Sequence, residues 1–229
     1  MMREIVLDTE TTGFEANGAD RIVEIGAVEL LNHMPTGRTY HQYINPERDM
    51  PEDAFRVHGL SEEFLSDKPV FAAIVQEFLE FIGEDRLVIH NAKFDMEFIN
   101  AELRRVNRPP LPSRRALDTL DIARRKFPGA GNSLDALCRR YGIDNSSRTL
   151  HGALLDSEIL AEVYLELIGG KQPDFDLSSD RGRQGTSTVQ EAWRPKPRPK
   201  PLPPRVSEKE KAAHAAFVQK LGDGALWLK

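Results

Sequence analysis

Two carboxylates stand two residues apart near the amino terminus, at the end of an apolar run rich in branched residues. The stretch 5–13 reads IVLDTETTG and predicts a buried strand that carries Asp8 and Glu10 near its end. Side chains alternate across a strand, so both acids point to one face. Neighbouring carboxylates repel each other and are costly to bury without a cation between them. The pair therefore indicates a divalent-metal site, with an exposed acidic strand end as the alternative.

Two further acids and a histidine follow core elements later in the chain. Asp95 falls in the first turn of a helix predicted over 94–106, where a carboxylate also suits the helix dipole. Asp156 lies about one turn inside a later predicted helix, among leucine and isoleucine residues that bring it close to the buried face. His151 stands at the entry to the same helix. Taken singly, Asp95 could be a helix-start acid and His151 a capping histidine.

Together, the four acids and the histidine match what a two-metal phosphodiesterase requires. Two divalent ions about 4 Å apart can hold a scissile phosphate, activate a water and stabilise the leaving oxygen. A histidine that is neutral near pH 7 can take the proton of that water. Mg²⁺ suits carboxylate ligands, and Mn²⁺ is tolerated at the same geometry. The combination predicts two divalent cations, Mg²⁺ or Mn²⁺, as cofactors.

The elements that must position these groups follow from periodicity and connection length. Strands are predicted over 4–9, 21–31 and 39–45, and their short connections favour antiparallel neighbours. The segment 45–69 is a long connection with little periodicity, apart from a short helical piece after Ser61. Apolar periodicity then predicts a short buried strand over 87–90 and helices over 71–82, 94–106, 117–126, 133–141 and 153–168. This order predicts an α/β fold in which helices flank a mixed sheet.

Composition narrows the class of protein. Of 229 residues, 40% are hydrophobic and 29% charged, which supports a globular core. The single cysteine, Cys138, excludes an intrachain disulfide and lies on an apolar helical stripe, as a small core residue does. The chain leads straight into a core strand, and no apolar run approaches the roughly 20 residues that span a bilayer. We therefore expect a cytoplasmic protein with no membrane partner.

Charge is distributed unevenly between the two parts of the chain. Residues 1–170 carry 19 basic and 29 acidic side chains, whereas residues 171–229 carry 12 basic and 7 acidic ones. A net-acidic domain is unlike a passive nucleic-acid binder, which needs basic charge to displace counterions. It can still act on nucleic acid if bound metal ions supply the positive charge at the site.

The composition changes after Gly170, which closes the last predicted helix of the domain. Six of the ten residues 195–204 are proline, which predicts a stiff polyproline II spacer. The helix predicted next opens with a capping box formed by Ser207 and Glu210. Its apolar side carries Ala213, Phe217 and Leu221, and Gly222 ends it. We expect a folded domain over 1–170, a linker over 171–206 and a segment over 207–229 that docks on another protein.

Three short motifs resemble those of a known enzyme family. Asp8-x-Glu10 in a strand, Asn91-x-x-Phe94-Asp95 opening a helix and His151-x-x-x-x-Asp156 resemble the motifs of the DEDD 3′→5′ exonucleases, in the histidine subclass. Further stretches resemble the proofreading epsilon subunits of bacterial DNA polymerase III, over 5–13, 25–29, 57–59, 87–94, 127–129, 132–138 and 148–156. The resemblance implies a ribonuclease H-like fold with a central mixed five-stranded sheet.

The resemblance also implies a role for each site residue. Asp8, Glu10 and Asp156 would be metal ligands, Asp95 would hold the second metal largely through water, and His151 would be the general base. Residues of a terminal-nucleotide pocket would be Asp53, His58, Asn91 and Phe94, beside the metal-bound Asp8, Glu10 and Asp156. The product would be a 5′-mononucleotide cut from a DNA 3′ end, preferably a mispaired end, which unstacks more easily.

The tail implies protein partners. By resemblance, it would bind the catalytic (alpha) subunit of the polymerase, although a proline-rich spacer is stiffer than a Gln-rich or Gly-rich linker. The peptide 172–177 resembles a sliding-clamp motif through Gln172, Phe175 and Leu177, a pattern short enough to arise by chance. These residues do not indicate whether a small accessory subunit also binds the domain.

Two other functions are compatible with the same motifs. An RNA-processing exonuclease of this fold, similar to ribonuclease T or oligoribonuclease, would be a free-standing dimer without a docking tail. A subunit that stabilises a polymerase and has lost catalysis would not need all five site residues. A comparison of DNA and RNA cleavage distinguishes the RNA-processing enzyme from a DNA exonuclease. Metal-dependent cleavage by the domain distinguishes a DNA exonuclease from a subunit that has lost catalysis.

Overall fold

The computed structural model describes residues 2–146, 148, 150–170 and 206–221. Its five strands are β1 (Arg3–Thr11), β2 (Ile22–Leu31), β3 (Met34–Tyr43), β4 (Arg86–Ile89) and β5 (Ala116–Asp118). Its helices are α1 (Glu52–His58), α2 (Glu62–Leu65), α3 (Phe71–Ile82), α4 (Ala92–Arg105), α5 (Thr119–Lys126), α6 (Leu134–Tyr141), α7 (Ala153–Leu167) and α8 (Glu208–Lys220), with a 3₁₀ turn at Ser113–Arg115. The chain divides into two compact units, the first of which contains every element through α7 and the second α8.

The first unit is built on a five-stranded mixed sheet with the strand order β3-β2-β1-β4-β5. β1 pairs antiparallel with β2, and β2 with β3, as the short connections predict. β1 also pairs parallel with β4, and β4 with β5. The apolar start of β1 therefore lies in the middle of the sheet, and Ile5, Val6 and Leu7 are fully buried. The predicted mixed five-stranded sheet is confirmed.

Helices cover both faces of the sheet, and alternation along β1 divides its side chains between them. Ile5 and Leu7 pack in the apolar cluster that α3 and α4 close, whereas Val6 packs against Leu160 and Tyr164 of α7. α5 and α6 pack in turn against the outer side of α7, in a third cluster that contains Cys138. Cys138 is fully buried, as its apolar stripe predicts.

The predicted helix over 117–126 is wrong at its start. Residues Ala116–Asp118 form β5 instead, because they pair in parallel with Leu87–Ile89 at the edge of the sheet. The carboxylate of Asp118 then caps the helix by accepting the Leu120 N–H at 2.9 Å. Three residues are too few for a periodicity that would separate the strand from the helix behind it.

Two other boundaries also differ from prediction. β3 begins at Met34 rather than at residue 39, because Asn32 and His33 have φ values of 50° and 67° and turn the chain back at once. The residues of its first half are exposed, so they lack the alternation of apolar and polar residues that predicts a strand. Within the segment 45–69, residues Glu52–His58 form α1, whose seven residues are too short for a clear stripe.

The second unit is described over residues 206–221. The predicted capping box is present, since Ser207 accepts from the Glu210 N–H and Glu210 accepts from the Ser207 N–H. The predicted end at Gly222, the proline spacer, and the clamp-like residues Gln172, Phe175 and Leu177 lie outside the described residues. Among the helices described, none combines the length and apolar character needed to cross a membrane.

Candidate active site

The end of β1 presents Asp8 and Glu10 on the sheet face that α7 covers. Asp8 pairs with Gly26 and Glu10 with Glu24 of β2, and directly opposite residues of an antiparallel pair share a face. Glu10 is buried, whereas Asp8 is partly exposed near the carboxyl end of β1, the central strand. The alternation that predicted both acids on one face therefore places them together below α7.

Asp95 approaches the same end of β1 from the opposite face of the sheet. It is 3% exposed in the first turn of α4, and its Oδ1 accepts from Thr9 N at 3.1 Å and Thr9 Oγ1 at 2.7 Å. The start of α4 is also tied to β5, because Asn91 N and Ala92 N donate to the Asp118 carboxylate at 3.0 and 3.1 Å. Asn91 adopts a left-handed φ of 63°, which turns the chain sharply from β4 into the helix.

α7 brings Asp156 to the site through a close approach to β2. A Cβ atom on Gly26 would lie 2.1 Å from the backbone of Ala153 and Leu154, so only glycine fits there. The Ser157 hydroxyl donates to the Gly26 carbonyl at 3.0 Å and holds the helix in this place. Asp156 is 2% exposed, in the first turn of α7.

Arg148 connects the histidine to the acids. Its guanidinium donates to both oxygens of Asp156, with Nη2 2.8 Å from Oδ2, and to Asp135 Oδ1 at 2.9 Å. Nη2 also lies 2.7 Å from His151 Nδ1, and the same ring nitrogen lies 3.3 Å from Asp156 Oδ2. Ligand atoms of Glu10, His151 and Asp156 all lie within 4.8 Å of one another. Three of the five predicted residues thus form one compact group of possible metal ligands, and Asp8 interacts electrostatically with Glu10, Asp95 and Asp156.

The electrostatics of the site are those of crowded, buried carboxylates. Burial, with repulsion from Asp95, Glu10 and Asp156, raises the pKa of Asp8 well above its ordinary value. Burial also raises the pKa of Glu10 to about 8 and that of Asp95 to about 7. Burial alone would raise the pKa of Asp156 too, but hydrogen bonds from His151 and Arg148 lower it.

This donor set fits divalent cations. Four carboxylates converge, and within the described part of the chain Arg148 is the cation that lowers the pKa of Asp8 and Glu10. One guanidinium cannot neutralise four acids, so the ionised site is short of positive charge. Oxygen ligands and one imidazole are the groups that Mg²⁺ and Mn²⁺ accept.

A cavity of about 740 Å³ opens on one side of the acids. It brings together all four residues predicted to contact a terminal nucleotide, Asp53, His58, Asn91 and Phe94, with Asp8, Glu10 and Asp95. Burial lowers the pKa of His58, whose Nδ1 accepts from Leu60 N at 3.0 Å, so its ring is neutral. The Asp53 side chain is 95% exposed and lies 3.5 Å from Arg56, so it stands at the rim.

A second cavity, of about 820 Å³, opens on the other side of the acids. It is lined by polar residues of α5, α6 and their loops, including Arg124, Asn132, Asp135 and Arg148. Both cavities share Asp8, His90, Asn91 and His151. The acidic centre therefore lies where the two cavities meet.

Sequence reasoning missed two residues of this site. Arg148 lies in a stretch that resembles the family, but the sequence analysis assigns it no role. The sequence feature that could have indicated it is a basic residue three positions before His151. Phe14 is 86% exposed, lines the 740 Å³ cavity and meets the Phe94 ring edge-on at a centroid distance of 6.2 Å. Its signal was an aromatic residue directly after the turn at Gly13.

Fold and site together define a nuclease of the exonuclease class. The family model described as Exonuclease (RNase_T) matches residues 5–164. The chain is 56% identical to DNA polymerase III subunit epsilon of Rickettsia felis over 179 residues, which cover 77% of this chain and 78% of that one. It is 48% identical to the subunit epsilon of Salmonella typhimurium over 238 residues, which cover 98% and 97%. The chain belongs to the DNA polymerase III subunit epsilon family.

Solved nuclease structures share this fold. Exonuclease X in complex with 5′ overhanging duplex DNA is 26% identical, with a TM-score of 0.57, and the match covers 72% of this chain and 90% of that one. The nuclease domain of 3′hExo, a DEDDh family member bound to rAMP, has a TM-score of 0.64 at 17% identity, covering 72% and 91%. The second likeness is one of fold. The predicted fold class is confirmed.

Proposed function

We propose that this chain is the proofreading 3′→5′ exonuclease subunit of a cytoplasmic bacterial DNA polymerase III. It removes mispaired 3′-terminal nucleotides from DNA as 5′-mononucleotides. The observation that carries the proposal is the convergence of Asp8, Glu10, Asp95, Asp156 and His151 where two cavities meet. Membership in the epsilon family supports DNA rather than RNA as the substrate.

Two divalent cations, Mg²⁺ or Mn²⁺, are the cofactors of this proposal. Asp8, Glu10 and Asp156 would hold them directly, and Asp95 through water. When bound, they supply the positive charge that attracts the scissile phosphate and lowers the pKa of a bound water. The buried carboxylates favour such ligation, because their raised pKa values show that the protein itself does not balance their charge.

His151 takes the proton of the attacking water. Its ring is 48% exposed at the junction of the two cavities, where a water can reach it. Nδ1 lies 3.3 Å from Asp156 Oδ2 and can donate to it, which leaves Nε2 as the nitrogen that takes the proton. Asp156 lies beside Nδ1 and stabilises the imidazolium that forms on proton uptake.

The 740 Å³ cavity receives the terminal nucleotide. The rings of Phe14 and Phe94 offer apolar surface to a base, and His58 and Asn91 offer polar contacts around it. Asp53 stands at the rim. A terminal nucleotide must leave the duplex to enter, and a mispaired one does so at lower cost, so selectivity comes partly from the substrate.

The tail connects the nuclease to its polymerase. Residues 207–229 bind the catalytic (alpha) subunit, and the alignment with the Salmonella typhimurium relative supports this because it extends over 98% of the chain. Gln172, Phe175 and Leu177 contact the sliding clamp. Clamp binding is tested with Gln172→Ala, for which unchanged affinity would remove the clamp from the proposal.

The test of the reaction uses the full chain and a labelled DNA primer that is paired or mispaired at its 3′ end, with an RNA oligomer alongside. We expect mononucleotides from DNA in Mg²⁺, faster from the mispaired end, and none in EDTA. Asp8→Ala should abolish cleavage, whereas Asp67→Ala, which removes an exposed acid outside the site, should not.

Other outcomes would overturn parts of the proposal. A strong preference for the RNA would indicate a processing enzyme of the same fold. Absence of cleavage of either substrate, with the polymerase present, would indicate a structural subunit. For the tail, a chain ending at residue 206 should fail to capture the alpha subunit in a pull-down; unchanged capture would exclude the tail as the docking segment.

A further inference from the structure

The loop that carries His151 must be positioned by contacts outside its own helix. His151 precedes α7, and its ring is 48% exposed, so burial does not hold it. Arg148 holds the ring from the side of the acids through Asp156. A base in a loop with one such support is free to rotate away from its water, so its position requires a second support on the other side of the loop.

The second support is the carboxyl end of α1. The backbone N–H of His151 donates to the carbonyl of Val57 at 3.1 Å. One residue earlier, the side chain of Leu150 lies over Gly59, so close that a Cβ atom there would be 2.6 Å from Leu150 Cδ1. Val57 and Gly59 flank His58, which lines the 740 Å³ cavity.

Gly59 is suited to this contact for two reasons. Its φ of 72° caps α1 in the left-handed region, where its N–H donates to the Phe55 carbonyl at 2.7 Å. Its missing side chain leaves the space that Leu150 fills. Leu150 is 48% exposed and Val57 44% exposed, so this is a surface contact whose loss should not unfold the domain.

We propose that Val57, Gly59 and Leu150 form a seat that positions the His151 backbone for catalysis, with Leu150 and Gly59 as positioning residues. The proposal rests on the proposed function of His151 as general base. Val57 belongs to the same short helix as His58, and Gly59 caps it, so one element holds the catalytic loop and lines the cavity for the terminal nucleotide. Displacing Leu150 should therefore lower the rate of the chemical step more than it weakens substrate binding.

The experiment is a double-mutant cycle in the full chain, assayed for kcat and KM on mispaired DNA. Leu150→Ala should lower kcat by roughly ten- to a hundredfold with KM little changed, because small misplacements of a reacting group have effects of this size. Leu150→Met should restore most of the rate. Gly59→Ala should lower kcat similarly by pushing Leu150 away, and adding it to Leu150→Ala should cause little further loss.

The matched control is Gly142→Ala. Gly142 caps α6 with a φ of 69°, and a Cβ there would meet nothing within 4 Å. It carries the same left-handed strain as Gly59→Ala without a neighbour to displace, so its kcat should stay close to that of the wild-type protein. Equal losses of kcat in both glycine variants would assign the effect to backbone strain and overturn the proposal.

Hydrogen exchange provides a readout that does not depend on activity. The His151 amide is bonded to Val57, so Leu150→Ala should accelerate its exchange while the amides of β1 stay protected. Unchanged exchange, or unchanged kcat in Leu150→Ala, would overturn the seat. If the wild-type chain cleaved nothing, the proposed function would fail, and the exchange measurement would still decide whether the seat exists.

Discussion

At the scale of single residues, the site is an excess of negative charge opposed by the guanidinium of Arg148. Glu10 and Asp95 have pKa values raised by burial to about 8 and about 7, from ordinary values of 4.5 and 3.8. Arg148 instead stabilises the charged form of Asp156, whose pKa is lowered. Asp156 is therefore stabilised as a carboxylate by the protein itself, whereas Glu10 and Asp95 need a further cation to stabilise their charged forms.

The raised pKa values predict how stability changes with pH in EDTA. A folded state that keeps protons which the unfolded chain has released loses stability as pH rises. Glu10 should therefore lower the free energy of unfolding progressively between about pH 4.5 and pH 8, with no further change above. Glu10→Gln should remove this contribution, so urea unfolding of the two proteins should diverge as pH rises through this window. A constant difference between them would contradict the assignment.

Arg148→Ala should destabilise the metal-free protein more than the metal-bound one. The arginine and Asp156 side chains are 9% and 3% exposed, and breaking a pair this buried costs about 3 kcal/mol. With Mn²⁺ present, the cation takes over the neutralisation of Asp156, so the loss should shrink. Thermal unfolding in EDTA and in Mn²⁺ measures both.

The control for this prediction is Arg56→Ala, whose ion pairs with Glu52 and Asp53 are exposed. Pairs of this kind contribute about 0–1 kcal/mol, so the variant should change stability little in either condition. A loss in Arg148→Ala that is equal with and without Mn²⁺ would mean that the arginine and the cation do not share Asp156.

At the scale of elements, the site depends on how closely α7 lies on β2. The helix backbone occupies the space above Gly26, and Ser157 bonds to its carbonyl. Because α7 begins two residues after His151 and contains Asp156, its distance from the sheet sets the position of both groups. α4 is placed in the same way by the bonds between Asp95 and Thr9.

Gly26→Ala should therefore damage both stability and activity. The alanine methyl group would lie 2.1 Å from the backbone of Ala153 and Leu154, so α7 would have to move away from β2. We expect a loss of about 2 kcal/mol or more in urea unfolding and a larger fall in exonuclease rate than in the folded fraction. Gly131→Ala, where the nearest atom would be 3.7 Å away, should be nearly neutral. Similar behaviour of the two variants would exclude close packing as the cause.

At the scale of the whole molecule, the chain separates the chemistry from the segment proposed to dock. Every element of the site belongs to the first compact unit, whereas α8 belongs to the second. The three apolar clusters that the structure describes around the sheet are formed by residues 5–168.

A chain ending at residue 176 should therefore unfold at the same temperature as the full chain, within a few degrees, and cleave mispaired DNA at a similar rate. It should not bind the polymerase alpha subunit. Calorimetry, the primer assay and a pull-down test these three statements separately. A large fall in unfolding temperature would mean that the tail supports the nuclease core.

The sequence by itself determined the elements with a clear period and the residues that they present. Alternation along β1 placed Asp8 and Glu10 on one face, and apolar spacing predicted α3 with its observed bounds. The tertiary structure decided that Ala116–Asp118 is a strand, that Arg148 balances Asp156, and that Leu150 rests on Gly59. The reason is physical: periodicity reports contacts between residues two to four apart, whereas a three-residue edge strand, a buried counter-charge and a loop seat are created by partners distant in the chain.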